Sequence, residues 1–410
     1  MSMRVQLAIF ALGCLWSWGG AALALGVSSD FEGGSAEVLE LDAAAGRMVI
    51  APVSREGAGW PCWWYFRVDD AVAGREMTLE IRASSRPFRE RQVLAAGWSM
   101  PSRPVISADD EGWQQLEPGE IKDGRAVFRF RAPAGRFWMA WGPPYLERHA
   151  SRDFDRALSR AGEGLVVEVF DLATSRGGRA VRGLRLGRRD APAAVWVQAR
   201  QHAWETGGSW VARGFLDWLL EGGEEARRLL ESTEVWWVPV MDADNVAGGS
   251  GGKEAEPRDH NRDWSDAPHY PEVRAAQARL TELMTAGRLR VYLDLHNPAP
   301  GDREAYFFGP FDHATMEGVT RSGYDRFLRL AVDQIRGEIP LRNSFRFATY
   351  VRTQEERERM SAQWVRARAA EGVVAMTLET AWNTPGSTVE GYSRVGAGLA
   401  RTVADWLVDG

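Results

Sequence analysis

Two cysteines in 410 residues exclude a disulfide-built scaffold. Cys14 lies within an apolar N-terminal run, and once that run is removed Cys62 stands alone and no intrachain bridge can form. Positive charge is not in surplus: 50 Lys and Arg stand against 56 Asp and Glu, a net charge of −6, so the chain lacks the basic footprint of a nucleic-acid binder. Internal repeats are absent. Low complexity is confined to Ala247-Gly-Gly-Ser-Gly-Gly252, a loop expected to be mobile unless a ligand orders it. The one extended apolar run, Val5 to Leu15, follows Arg4 and precedes the small-x-small pattern Ala22-Leu23-Ala24. Residues 1–24 therefore read as an export signal, implying a secreted or periplasmic protein with no membrane span once it is removed. A short membrane anchor and a lipoprotein signal at Cys14 are the alternatives.

What is present is globular composition, 45% hydrophobic and 26% charged, at a length suited to two domains. Nineteen tryptophans fit core packing, with flat faces for sugar rings as the competing explanation. From residue 25 to 148 short strand-like runs recur between turn-rich stretches: Arg47–Ala51, Trp63–Val68, Met77–Arg82, Ala126–Phe130 and Phe137–Trp141. Even spacing without helical period predicts an all-β sandwich. A polar helix-like piece from Glu147 to Arg160 opens a second domain, 149–410, where apolar runs at 193–199, 234–241, 290–295 and 373–378 alternate with helical patterns. Unalternated runs suit strands covered on both faces, which predicts an α/β domain with a mixed, largely parallel sheet flanked by helices. Ser209 to Glu221 reads as one such helix, with Ser209 as N-cap and Gly222-Gly223 ending it.

Three groups in this domain carry chemistry. His202-Ala-Trp-Glu205 follows the first buried-type strand, and a His and Glu three apart offer one nitrogen and one carboxylate oxygen to a metal. His296 ends a second strand and Glu379 a third. Singly these are a surface pair, a core histidine and a helix cap. Together they sit where open α/β sheets bind ligands, beyond the carboxyl ends of the strands. Arg258-Asp-His-Asn-Arg262 adds a guanidinium fork suited to a carboxylate and, in Asp259, a partner for the outward nitrogen of a metal-bound histidine. An ordinary solvated charge cluster is its plain alternative. His149, His269 and His313 read as surface or loop histidines, and 354–359 as a solvated helix face. His260 either lines the pocket or points away.

The stretch from Gln198 to Leu220 resembles the zinc-binding segment of the metallocarboxypeptidases, in particular their cytosolic carboxypeptidase-like branch. Pro239 to Asn245, Asp259-His-Asn-Arg262, Asp294-Leu-His296 and Thr377-Leu-Glu379 then follow in that family's order. The resemblance covers most of residues 165–405. More loosely, Trp63 to Val68 and the run ending Pro143-Pro-Tyr145 resemble the β-sandwich of that branch, which would border or shape the cleft entrance. It implies one zinc ion per chain held by His202, Glu205 and His296, with Asp259 behind His202. It also implies Asn261 and Arg262 as binders of a terminal carboxylate, and Glu379 as the base that takes a proton from the attacking water and gives it to the leaving amine. The family's upstream arginine has no clear counterpart; Lys253 is assigned its oxyanion role in preference to Arg258, which is kept beside the substrate. Tyr350 is assigned to the family's mobile tyrosine.

The implied function is removal of a C-terminal residue from a peptide with a free carboxylate. Two alternatives stand beside it: an amidase or carboxypeptidase acting on peptidoglycan stem peptides, and a non-catalytic glycan- or peptide-binding protein of the same fold. The residue cleaved and the oligomeric state are open at this level.

Overall fold

The computed structural model describes residues 25–89, 91–162 and 166–408. The export signal expected over residues 1–24 lies outside the described residues. Two five-stranded sheets form the first part of the chain. One runs, in spatial order, Gly26–Ser28, Tyr65–Asp69, Phe137–Ala140, Val105–Ser107 and Gln114–Gln115. The other runs Glu37–Asp42, Arg47–Ala51, Glu76–Arg82, Arg125–Arg131 and Glu120–Lys122. All pairings are antiparallel except that of Arg47–Ala51 with Glu76–Arg82. Alternation explains the faces. In Arg125–Arg131, Ala126 and Phe128 are buried while Arg125, Arg129 and Arg131 are exposed. Met48, Ile50, Leu79, Ile81, Phe66 and Met139 fill the space between the sheets.

The second part is built on a seven-stranded sheet. Its order is Val167–Thr174, Ala180–Gly187, Thr233–Val238, Ala193–Ala199, Leu289–His296, Val374–Glu379 and Tyr306–Phe308. The four strands from Thr233–Val238 to Val374–Glu379 are parallel, and the flanking pairings are antiparallel. Helices cover both faces. Thr206–Glu221, Gly318–Gln334 and Val389–Val408 pack on Val195, Val197, Leu293, Leu295 and Met376. Pro271–Thr285 and Ser361–Arg366 cover Ala194, Trp196, Tyr292 and Ala375. Two-sided burial is why these strands read as unbroken apolar runs.

Several local expectations are corrected. The helix expected from Ser209 begins at Thr206, with Glu205 at its N-cap position and Ser209 inside it donating to Pro239 O at 2.7 Å. It starts early because Gly207 and Gly208 let the first turn press onto the neighbouring strand end, where a Cβ would stand 2.6 Å from Asn297 Nδ2 or Leu295 O. His149 is buried, not a surface histidine; its Nδ1 accepts from the Leu146 amide at 3.0 Å. The glycine-rich loop is packed rather than loose: Ala243–Gly248 is a short helix, and Gly249 to Gly252 are buried against the sandwich. Tryptophan is core material here, Trp64, Trp141, Trp196, Trp204, Trp237, Trp264 and Trp382 being fully buried. No helix among the described residues is long and apolar enough to cross a membrane.

Candidate metal centre and cleft

Parallel pairing puts three strand ends side by side. Ala199 is in register with Leu295, and His296 with Glu379. Beyond Ala199 the chain turns sharply at Arg200, whose φ is +62°. The buried Arg200 guanidinium holds that turn, donating from Nε to Ala203 O at 2.9 Å and from Nη1 to Tyr145 O at 3.0 Å. Burial lowers its pKa to about 9. The turn delivers His202 and Glu205 next to His296.

His202 Nδ1 lies 2.9 Å from Glu205 Oε1, and His296 Nδ1 lies 2.7 Å from Glu205 Oε2. One ligand atom from each of the three buried residues falls within 4.8 Å of the others. The far nitrogens are committed elsewhere: His202 Nε2 to Asp259 Oδ1 at 3.1 Å, and His296 Nε2 to Asp294 Oδ2 at 2.9 Å. A carboxylate accepts, so each Nε2 carries a proton, and in the neutral ring Nδ1 is a lone pair. Two lone pairs would then face two carboxylate oxygens, an arrangement that is repulsive in itself and favourable around a cation. The residues present therefore fit one divalent ion of the type bound by two histidines and a glutamate. Positive charge on the rings relieves the same contacts in the other way: burial pushes the Glu205 carboxyl up, but that charge outweighs it and holds the group well below the usual carboxylate range. Asp259 is held low likewise, burial being overcome by His202, Lys253 and Arg262. Asp294 is fixed by Gln201 Nε2 and Ser361 Oγ, both at 2.6 Å.

The centre opens into a cavity of about 830 Å³. Glu379 lines it, and its Oε2 is buried without a hydrogen-bond partner among the described residues. Burial, reinforced by Glu205 and opposed by His296 and Lys253, raises this carboxyl to about 7. Lys253, Arg258 and Arg262 line the same cavity and form no ion pair among the described residues. Tyr350, 58% exposed, and Arg359 stand on the wall, and Trp60, Arg89 and Trp98 reach it from the sandwich. Arg346 is fixed on the wall by Asp302 at 2.9 Å and by the Tyr306 ring 4.2 Å away.

The structure thus gathers His202, Glu205, His296, Asp259, Glu379, Lys253, Arg258, Arg262 and Tyr350 around one space. Asn261 is placed differently. Its side chain is off the cavity wall, its Oδ1 accepting from the Ser361 amide at 2.9 Å and its Nδ2 lying 3.4 Å from His296 Nε2. His260 points away, 2.8 Å from Glu272 Oε1 and stacked on Tyr270. Sequence reasoning did not assign Asp294, although period-two spacing puts it on the same side of the strand as His296. It also missed Arg200, Gln201, Asp302 and Arg346, whose roles depend on partners distant in sequence.

A sheet with parallel centre, two-sided helical cover and a His-Glu-His centre at its carboxyl edge defines the metallocarboxypeptidase fold. The zinc carboxypeptidase family matches over residues 160–269, and the cytosolic carboxypeptidase N-terminal domain over residues 27–141. Both parts of the chain are thus similar to the zinc carboxypeptidases of the branch that carries this N-terminal domain. Curated relatives include an uncharacterised Zymomonas mobilis protein, 26% identical over 61% of this chain and 63% of its own length. Zebrafish (Danio rerio) cytosolic carboxypeptidase 2 is 32% identical over 57% of this chain and 35% of its own length, so the chain spans only part of these relatives. Among solved structures, a Burkholderia cenocepacia metallo-carboxypeptidase shares the fold at TM-score 0.76 and 19% identity, covering 94% of this chain and 100% of that one. A Pseudomonas aeruginosa metallo-carboxypeptidase in complex with (2-guanidinoethylmercapto)succinic acid does so at 0.74 and 23%, covering 94% and 99%.

Proposed function

We propose that this chain is a zinc-dependent carboxypeptidase that hydrolyses the C-terminal peptide bond of a peptide with a free terminal carboxylate. The observation that carries this reading is the buried Glu379, whose Oε2 has no hydrogen-bond partner among the described residues, on the wall of the same cavity as a His-Glu-His centre and three cations that form no ion pair among the described residues. His202, Glu205 and His296 would hold one zinc ion, which would supply Lewis acidity toward a water and a carbonyl. Asp259 and Asp294 hold the two rings in the tautomer that leaves Nδ1 free. Glu379, with a carboxyl near neutrality, takes the proton of the attacking water and returns it to the leaving amine. Lys253 stabilises the oxyanion. Arg262 takes the terminal carboxylate with Arg258 beside it, and Asn261 fixes the turn that carries Arg262.

The test is Arg262→Ala, assayed on a free-acid peptide and on its C-terminal amide. The expected result is a fall in kcat/KM of at least about 100-fold on the free acid, with the amide, poorly cleaved by either protein, changed less than threefold. Equal losses on both would remove the clamp and the exopeptidase reading with it.

A further inference from the structure

Residues 55–60 connect two strands of the sandwich and reach across to the glycine-rich stretch of the catalytic part. The Gly252 amide donates to Ala58 O at 3.1 Å, the Trp60 amide to Lys253 O at 3.0 Å, and the Glu256 amide to Gly57 O at 2.8 Å. Arg55 Nη1 donates to Gly249 O at 3.1 Å. Glycine is what permits this approach. A Cβ at Gly59 would stand 2.2 Å from Lys253 O, and one at Gly251 2.1 Å from Trp60 O. A loop that composition marks as flexible is thus held on both sides by backbone bonds.

The fixed element presents Lys253. Its Nζ lies 5.5 Å from the centroid of the Trp60 ring, and both residues line the cavity with Glu205 and Glu379. The Trp60 ring is itself supported, 4.6 Å from Trp98 and 6.4 Å from Phe88 between centroids. Lysine is otherwise nearly unused: Lys122 and Lys253 are the only two in the chain, so an ammonium here is not the compositional default. An ammonium on a four-carbon stem has many rotamers and no fork to orient it. An aromatic face gives it a place without neutralising its charge, which a carboxylate partner would do.

We propose that Trp60, contributed by the β-sandwich, is a positioning residue of the reaction: its ring holds the Lys253 ammonium where the carbonyl oxygen gains charge. The sandwich is then part of the catalytic apparatus and not merely a border of the cleft. This rests on the reading of Lys253 as the oxyanion cation.

The experiment uses the full zinc-loaded chain and one free-acid peptide that the wild type cleaves. Trp60→Leu, Trp60→Phe, Lys253→Met and the Trp60→Leu/Lys253→Met double variant are compared in kcat, KM, zinc content and Tm. Trp60→Leu is expected to lower kcat about tenfold with KM within about twofold, while Trp60→Phe, which keeps a ring face, recovers most of the loss. The double variant should be no slower than Lys253→Met alone. Should Trp60→Leu fail to fold, the same cycle is run with Trp60→Phe, expected about threefold down in the wild-type background and unchanged in the Lys253→Met background. Wild-type kcat in Lys253→Met overturns the oxyanion reading. A slow Lys253→Met beside an unaffected Trp60→Leu, losses that multiply in the double variant, or losses that track zinc content, overturn the positioning role alone.

Discussion

At Glu379 one carboxylate oxygen is buried with no hydrogen-bond partner among the described residues, which a purely structural role for the side chain does not account for. Glu379→Gln keeps the volume and removes the base, so kcat is expected to fall by about 10²- to 10⁴-fold with zinc content unchanged. Metal analysis beside kinetics checks this, and retained turnover would take the base role from Glu379. Two other buried side chains contribute to the pH dependence of folding, in opposite senses. Burial, then the charges of Arg148 and Arg152, hold His149 down at about 3. The unfolded chain therefore binds a proton below about 6.5 that the folded chain refuses, and this stability is lost as pH falls from there toward 3. His260 is the reverse case: burial lowers it, but Asp242 and Glu272 outweigh that and raise it to about 9. Its contribution is full below 6.5 and is lost as pH rises through 9. In Tm against pH, His149→Asn should flatten the acid flank and His260→Gln the alkaline one. Unchanged slopes would remove these assignments.

Among the elements, the helix Thr206–Glu221 carries the most consequence, because it begins at Glu205, the proposed metal ligand, and is locked along its length. A glutamate at its N-cap position sits where the helix dipole favours negative charge, while its side chain is used for the centre. The far side packs on Val389–Val408 through glycines. A Cβ at Gly214 would stand 2.2 Å from Ser393 O, and one at Gly396 2.0 Å from Val211 O. Neither neighbour is a flexible side-chain end, so Gly396→Ala must push the helices apart. It is expected to cost about 1–3 kcal/mol in urea unfolding, with a loss of activity if Glu205 shifts with its helix. An unchanged midpoint would show that the pair has slack.

In the whole molecule the two cores meet beneath the loop that carries His202 and Glu205. Trp204, between His202 and Glu205, lies 5.9 Å from Trp98, 5.3 Å from Trp141 and 5.1 Å from Trp382 between ring centroids. Trp98 and Trp141 belong to the sandwich, and Trp382 follows Glu379 by three residues. The segments that carry Glu205 and Glu379 thus share one aromatic cluster with the N-terminal part, so removing one indole leaves the others without support. Calorimetry of the full chain is expected to show a single unfolding transition, with Trp141→Ala lowering Tm and zinc affinity together. Two resolved transitions would mean that the parts unfold independently.

The sequence by itself determined the identity and order of the chemistry-bearing residues and the class of each half. Strands such as Ala193–Ala199 and Arg47–Ala51 are legible because burial on one or two faces imposes a pattern on adjacent residues. His296 and Glu379 stand out because they end such runs, and His202 and Glu205 because they follow one within six residues. Tertiary structure alone decided the rest. That Ala247–Gly252 is held still, that His149 is buried, that the Asn261 amide is used by Ser361 and that Trp60 faces Lys253 all depend on partners tens to hundreds of residues away. Composition reports a segment's own preferences, whereas immobilisation and burial come from what packs against it.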